Sequence, residues 1–135
     1  MNTNLDFFGP RACFHHIGMA VRSVEEAVPG LTVVTDPVQR VSIGFVEFSG
    51  LTVELIEPAS ENSPIDESLE KGNKILHVCI EVPSITNALD ECKLHGFRRI
   101  SEAVPATVFE NRKIVWVFSP IFGLVELLEA KEATE

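Results

Sequence analysis

The chain repeats itself in two places. His16-Ile-Gly-Met-Ala-Val-Arg-Ser is matched by His77-Val-Cys-Ile-Glu-Val-Pro-Ser. The His, the Val five residues on and the Ser two further coincide at a constant offset of 61 (77 − 16). Val53-Glu54-Leu55-Ile56-Glu57 is matched in turn by Val125-Glu126-Leu127-Leu128-Glu129, identical at four of five positions, at an offset of 72 (126 − 54). The offset grows by 11 between the blocks (72 − 61), so the first half is shorter by that amount. Two matched blocks in the same order, each carrying a His or Glu able to ligate a metal, point to two tandem copies of one module.

Short β-rich runs bounded by turn residues fill both halves. In the first, strands are predicted at 13–21, 31–35, 41–48 and 51–57, the last two joined by a hairpin at Ser49-Gly50. A polar connection follows, in which Pro64 and Gly72 bracket a short helix at 64–71. The second half opens with a strand at 75–82. Ser84 then caps a helix running to about His95, with Gly96 as its stop. Ile85, Ala88, Leu89 and Cys92 recur at helical spacing, so that face packs on a sheet. Strands at 97–101, 114–118 and 124–128 complete a β-α-β-β-β order, with 106–109 a weaker strand candidate. Pro29-Gly30 cuts the first-half helix to about two turns or less, and the missing residues are placed there. The expected fold is α+β, with tandem βαβββ modules forming a curved, cleft-bearing mixed sheet. Its expected parts are an N-terminal extension (1–13), a first module with truncated helix (14–58), a linker with a short helix (59–74), a second module (75–129) and an acidic tail (130–135).

In each half the His lies on the opening strand and the Glu on the closing strand. Side chains alternate along a strand, so one register decides whether they face a common cleft. With His16 turned inward, the small residues Gly18 and Ala20 share its face and leave room beside it. Glu126 shares a face with Leu124 and Leu128, while Val125 and Leu127 point the other way. A carboxylate on a strand that is apolar on both faces needs a partner, because a lone buried charge is costly. Two imidazoles and two carboxylates, from His16, Glu54, His77 and Glu126, suit a borderline divalent ion such as Zn, Ni, Co, Mn or Fe, and do not suit an all-oxygen calcium site. Such an ion keeps open positions for a substrate chelating through two oxygens. It can then stabilise an enolate or enediolate as a base removes the proton beside a carbonyl.

The formal net charge of −9 and the absence of a basic cluster beyond Arg98-Arg99 and Arg112-Lys113 argue against a nucleic-acid partner. Part of the acidity sits in the tail from Glu126 to Glu135, expected to fray into solvent. Three cysteines (Cys13, Cys79, Cys92) form no CxxC pair, which favours a reducing, cytoplasmic setting with Cys79 and Cys92 as small hydrophobes. No signal peptide is evident in MNTNLDFFGPR, and no apolar run is long enough to span a membrane.

The stretches FHHIGMAV, VSIGFVEFSGLTVELIEP, NSPIDESLEKGNKILHVCIEV and FGLVELLE resemble the vicinal oxygen chelate (glyoxalase/bleomycin-resistance/dioxygenase) superfamily, and within it the methylmalonyl-CoA epimerases most. The resemblance runs from Phe14 to Glu129, and the segment from SPI through LHVCIEV also matches the epimerase linker between modules. It implies the tandem βαβββ fold, metal ligation at His16, Glu54, His77 and Glu126, and chemistry on a carbonyl or on a thioester such as an acyl-CoA. Many epimerases carry Gln where Glu54 stands, whereas glyoxalases carry Glu. Relatives often pair through sheet edges, which implies a homodimer. The chain departs from the pattern twice. The first-module helix is largely missing between Glu25 and Leu31. The second catalytic carboxylate expected on the third strand of an epimerase falls at Ser42 or Ile43, with Glu47 nearby.

The resulting expectation is a metal-dependent epimerase or isomerase acting on a small acyl thioester, methylmalonyl-CoA-like, or on an α-hydroxycarbonyl, with Glu126 as proton shuttle. A non-catalytic small-molecule binding module, a glyoxalase-like lyase and a ring-cleaving dioxygenase are the alternatives. Outside the four ligands, His15 reads as structural or cleft-lining, Glu57 and Glu129 as exposed edge carboxylates, and Trp116 as core or dimer packing. Arg98, Arg99, Arg112 and Lys113 read as solvated surface, and His95 as a cation at a helix C-terminus.

Overall fold

The structure is a computed structural model that describes residues 2–131; the expected acidic tail lies outside the described residues from 132 onward. The elements run β1 (Cys13–Ala20), α1 (Val24–Ala27), β2 (Val34–Asp36), β3 (Val41–Phe48), β4 (Leu51–Pro58), α2 (Asp66–Lys71), β5 (Ile75–Val82), α3 (Ile85–Lys93), β6 (Arg98–Arg99), β7 (Val104–Ala106), β8 (Arg112–Ser119) and β9 (Gly123–Glu129). A 3-10 turn at Thr107–Phe109 separates β7 from β8. Among the described residues no helix is long and apolar enough to cross a membrane.

The strands form one mixed sheet in the order β2-β3-β4-β1-β5-β9-β8-β6, with β7 on β8. This order reads the same from either end once the halves are superposed. β1 pairs parallel with β4, β5 pairs parallel with β9, and β1 meets β5 antiparallel at the centre. The repeat in sequence is thus a twofold in space, and its axis passes between the strands that carry His16 and His77.

Side-chain alternation divides the sheet into a helix-covered face and a cleft face. Val125 and Leu127 of β9 and Val115 and Val117 of β8 pack with Ile85, Ala88 and Cys92 of α3, while Phe7 and Phe8 of the N-terminal segment cover the edge of this core. On the other half, Val53 and Leu55 of β4 pack with Val24 of α1. The helix starts repeat in detail. Ser23 Oγ accepts from the Glu26 amide and Ser84 Oγ from the Asn87 amide, and each serine caps a first turn. Glu57 accepts from the Val24 amide at 3.2 Å and Glu129 from the Ile85 amide at 3.0 Å. Glu57 and Glu129 are therefore half-buried helix caps and not exposed edge carboxylates, since each reaches the positive end of the helix in its own module.

Several expectations shift. The first-module helix is short, four residues against nine in α3, but it accounts for only part of the missing length. Between β2 and β3 lie residues 37–40, whereas residues 100–111 lie between β6 and β8, so the larger insertion is the β7 segment and its 3-10 turn. Of the weaker strand candidate at 106–109, Ala106 ends β7 and Thr107–Phe109 form this turn, which Glu110 and Asn111 close with positive φ. The strand read at 31–35 begins only at Val34, and that read at 97–101 is reduced to Arg98–Arg99. Residues 126–129 do not fray; Glu126, Leu127 and Leu128 are buried in β9. Ser49 (φ 49°) and Gly50 (φ 92°) both adopt the left-handed region, the geometry of a tight two-residue hairpin between β3 and β4.

Candidate metal centre

β1, β4, β5 and β9 are the four central strands, and each delivers one polar side chain to the cleft face. His16 is fully buried, and Glu54, His77 and Glu126 are nearly so. His16 Nε2 lies 3.5 Å from a Glu54 oxygen and 3.3 Å from Glu126 Oε1; His77 Nε2 lies 3.5 Å from each. One nitrogen or oxygen from each residue falls within 4.8 Å of all the others. Yet His16 Nε2, His77 Nε2 and Glu126 Oε1 make no hydrogen bond, although all three are buried. Unpaired buried polar atoms are costly, and three aimed at one point call for a shared partner. Ligand bonds of about 2.1 Å would place neighbouring donors about 3.0–3.4 Å apart at right or tetrahedral angles. The observed spacings of 3.3–3.5 Å lie at or just above the top of that range, so the residues fit one divalent cation after a small contraction.

The twofold explains how the imidazoles are accommodated. Gly18 stands opposite His77 and Cys79 opposite His16, and positions 18 and 79 are themselves equivalent in the repeat (79 − 18 = 61). A Cβ on Gly18 would overlap the His77 ring. Phe45 stands opposite Glu54 and Trp116 opposite Glu126. The two rings meet the histidines edge-on, Phe45 against His16 at 5.5 Å and Trp116 against His77 at 4.7 Å. Trp116 is thus a wall of the site as well as a packing residue, which its β-strand context alone did not reveal. Phe109, carried by the second-module 3-10 turn, stacks on His16 at 5.7 Å.

Burial opposes charge on the imidazoles, but the facing carboxylates of Glu126 and Glu54 outweigh it. His77 is lifted to about 9 and His16 is also raised. Burial likewise opposes ionisation of Glu126, and His16 and His77 override it, holding this carboxyl below the usual range. Without a cation, the facing carboxylates favour the protonated form of both imidazoles. Burial, and then the charge of Glu126, push the Cys79 thiol upward, so it stays neutral beneath the cluster. His15 is lowered, by burial first and by His16 next, which favours its neutral form.

Above the cluster opens a cavity of about 350 Å³. Its walls are largely aliphatic, including Val41, Ile43, Ile56, Leu76, Val108 and Leu124. Its titratable lining groups are Asp36, Glu54, His77 and Glu126, and among the described residues neither lysine nor arginine lines it. The carboxylate expected on the third strand is absent from the cleft: Val41 and Ile43 face it, Ser42 bonds Thr35 at 2.9 Å, and Glu47 is exposed. Asp36 is buried at the cavity wall, where its Oδ1 accepts from the Val38 and Gln39 amides. Arg112 is no free surface cation, since it pairs with Glu81 at 2.9 Å.

Residues 15–116 match the family described as the Glyoxalase/Bleomycin resistance protein/Dioxygenase superfamily. The chain belongs to this superfamily. Among superfamily relatives, the human mitochondrial methylmalonyl-CoA epimerase is 33% identical over 101 residues, covering 67% of this chain and 57% of that protein. An ethylmalonyl-CoA/methylmalonyl-CoA epimerase of Cereibacter sphaeroides is 31% identical over 96 residues, covering 68% of this chain and 72% of its own length. The chain therefore spans little more than half of the human relative. A hypothetical protein of Bacillus halodurans C-125 superposes with a TM-score of 0.74 at 32% identity, covering 93% of this chain and 99% of that one. This superfamily member accordingly has the tandem-module fold of its relatives, and its converging His and Glu pairs lie at the centre of that fold.

Proposed function

We propose that His16, Glu54, His77 and Glu126 hold one divalent cation of the Co, Mn, Ni, Zn or Fe class, and that the cleft catalyses proton transfer at a carbon beside a carbonyl or thioester. The supporting observation is the three buried, unpartnered ligand atoms directed at one point. When bound, the cation would act as a Lewis acid toward a substrate oxygen. The cavity supports that reading, because an acyl oxygen entering it would otherwise meet only acids and an imidazole at the floor. The aliphatic walls orient an alkyl substituent and exclude water from the reacting carbon. Glu126 lies on the cleft face at the base of the cavity and is the group placed to accept and return a proton.

The relatives' names make a methylmalonyl-type acyl-CoA the first substrate to test. The test is incubation of cation-loaded protein with methylmalonyl-CoA in deuterated water. Deuterium should enter at the carbon between the two carbonyl groups, and Glu126→Gln should strongly reduce this while leaving the fold intact. A second reading, a binding module without turnover, is favoured by the third-strand positions Ser42 and Ile43, where an opposing acid is expected and neither residue is a base. Saturable binding with no deuterium incorporation would establish that reading and overturn the first.

A further inference from the structure

The central pair of strands slips register twice, and both slips sit beside a histidine. Between Phe14 and His16 one residue of β1, His15, has no partner on β5; between Gly18 and Met19 one residue of β5, Leu76, has no partner on β1. These are β-bulges at equivalent positions of the repeat (76 − 15 = 61), each immediately before a cluster histidine. A bulge brings two successive side chains toward one side of the strand. In the second module the extra residue is Leu76, which lines the cavity. In the first it is His15, whose Nδ1 lies 2.8 Å from Nδ1 of His16.

That contact leaves His16 with one nitrogen for each of two tasks. Nε2 faces Glu54 and Glu126, and Nδ1 faces His15. A ligating nitrogen must present its lone pair, so the proton of a neutral His16 has to reside on Nδ1 and be donated to His15. His15 then accepts with an unprotonated Nδ1 and carries its own proton on Nε2. Histidine ligands generally donate their second N–H to a carboxylate, carbonyl or water, which fixes the tautomer and ring orientation. Here a neutral imidazole takes that part without adding charge. The two carboxylates and a divalent ion then sum to zero, whereas an acid at position 15 would leave an excess negative charge.

We infer that His15 is a positioning residue, which fixes His16 as the Nδ1–H tautomer and so directs its Nε2 into the cation site. The inference rests on the metal reading above. The test exploits a crossed pair of variants. His15→Phe retains a ring for the edge-on contact with Phe109, now 5.6 Å away, but cannot accept a hydrogen bond. His15→Asn loses the ring but places an amide oxygen where Nδ1 stands. Zinc affinity should fall about 10–100-fold in His15→Phe and stay within about threefold of wild type in His15→Asn. In the zinc-loaded wild type, nitrogen-15 correlation spectra should show His15 neutral with its proton on Nε2. Equal zinc affinity in wild type and His15→Phe, or a proton on His15 Nδ1, would overturn the inference. Loss in Asn but not in Phe would do the same by assigning His15 a packing role. If wild-type protein takes up no zinc, the metal reading itself fails, an outcome distinct from all of these.

Discussion

Gly18 and His77 face each other across β1 and β5, and the imidazole fills the space that any side chain at position 18 would need. Gly18 is not one of the glycines with positive φ, so its smallness serves the site and not a turn. Gly18→Ala should therefore displace the His77 ring, cost about 1–3 kcal/mol of stability through overpacking and weaken divalent-ion binding by at least about tenfold. Thermal unfolding and metal titration of the purified variant measure both effects. Unchanged affinity would show that the His77 ring does not need this position to ligate.

The raised imidazoles predict a definite pH dependence. His77 titrates near 9 in the metal-free fold against 6.5 in an unfolded chain, so the stability it contributes is full below about 6.5 and is lost as pH rises toward 9. Metal-free protein should therefore melt at progressively lower temperature between those limits. Cation binding requires neutral imidazoles and should release protons at pH 7, tightening as pH increases. Calorimetry in buffers of different ionisation enthalpy counts the released protons. Binding without release at pH 7 would contradict the charged metal-free cluster.

Exchanging the two acids separates holding from proton transfer. Glu54→Gln should retain the cation within about a factor of ten and retain deuterium exchange, since an amide oxygen can still ligate. Glu126→Gln should lower exchange by about 10²–10⁴, the range of a lost general acid–base group. Equal loss in both variants would mean that Glu126 acts as a ligand alone.

Glu57 and Glu129 act away from the cleft. Replacing either by Ala should cost about 0.5–2 kcal/mol by uncapping α1 or α3, with Glu129 the larger because α3 is the longer helix. Denaturant titration measures this loss, and metal affinity should not move. A change in metal affinity instead would place these acids in the site.

The sequence repeat made the four cluster residues legible because matched positions of the two modules fall on the same face: once His16 and Glu54 face inward, their counterparts His77 and Glu126 do too. The small residue opposite each histidine was also within reach, since the offset of 61 pairs Cys79 with Gly18 and thereby explains a cysteine read only as a core hydrophobe. The bulges were not legible. Nothing in the composition around His15 or Leu76 announces an unpaired residue, so the partnership of His15 with His16 required coordinates. The same holds for contacts formed by residues distant in sequence. Glu57 reaches back 33 residues to cap α1, Glu129 reaches back 44 to cap α3, and Arg112 meets Glu81 across 31. Residues 106–109, rich in apolar and β-branched types, read as strand by propensity. The turn forms because Glu110 and Asn111 reverse the chain there and leave Phe109 to stack on His16.

Anomalous scattering from crystals grown with cobalt tests the central claim most directly. One peak should lie between His16 Nε2, His77 Nε2 and the carboxylates of Glu54 and Glu126, with about one ion per chain and none in a His77→Ala control. A peak bound by fewer than two of these residues, or no peak at saturating cobalt, would contradict the account.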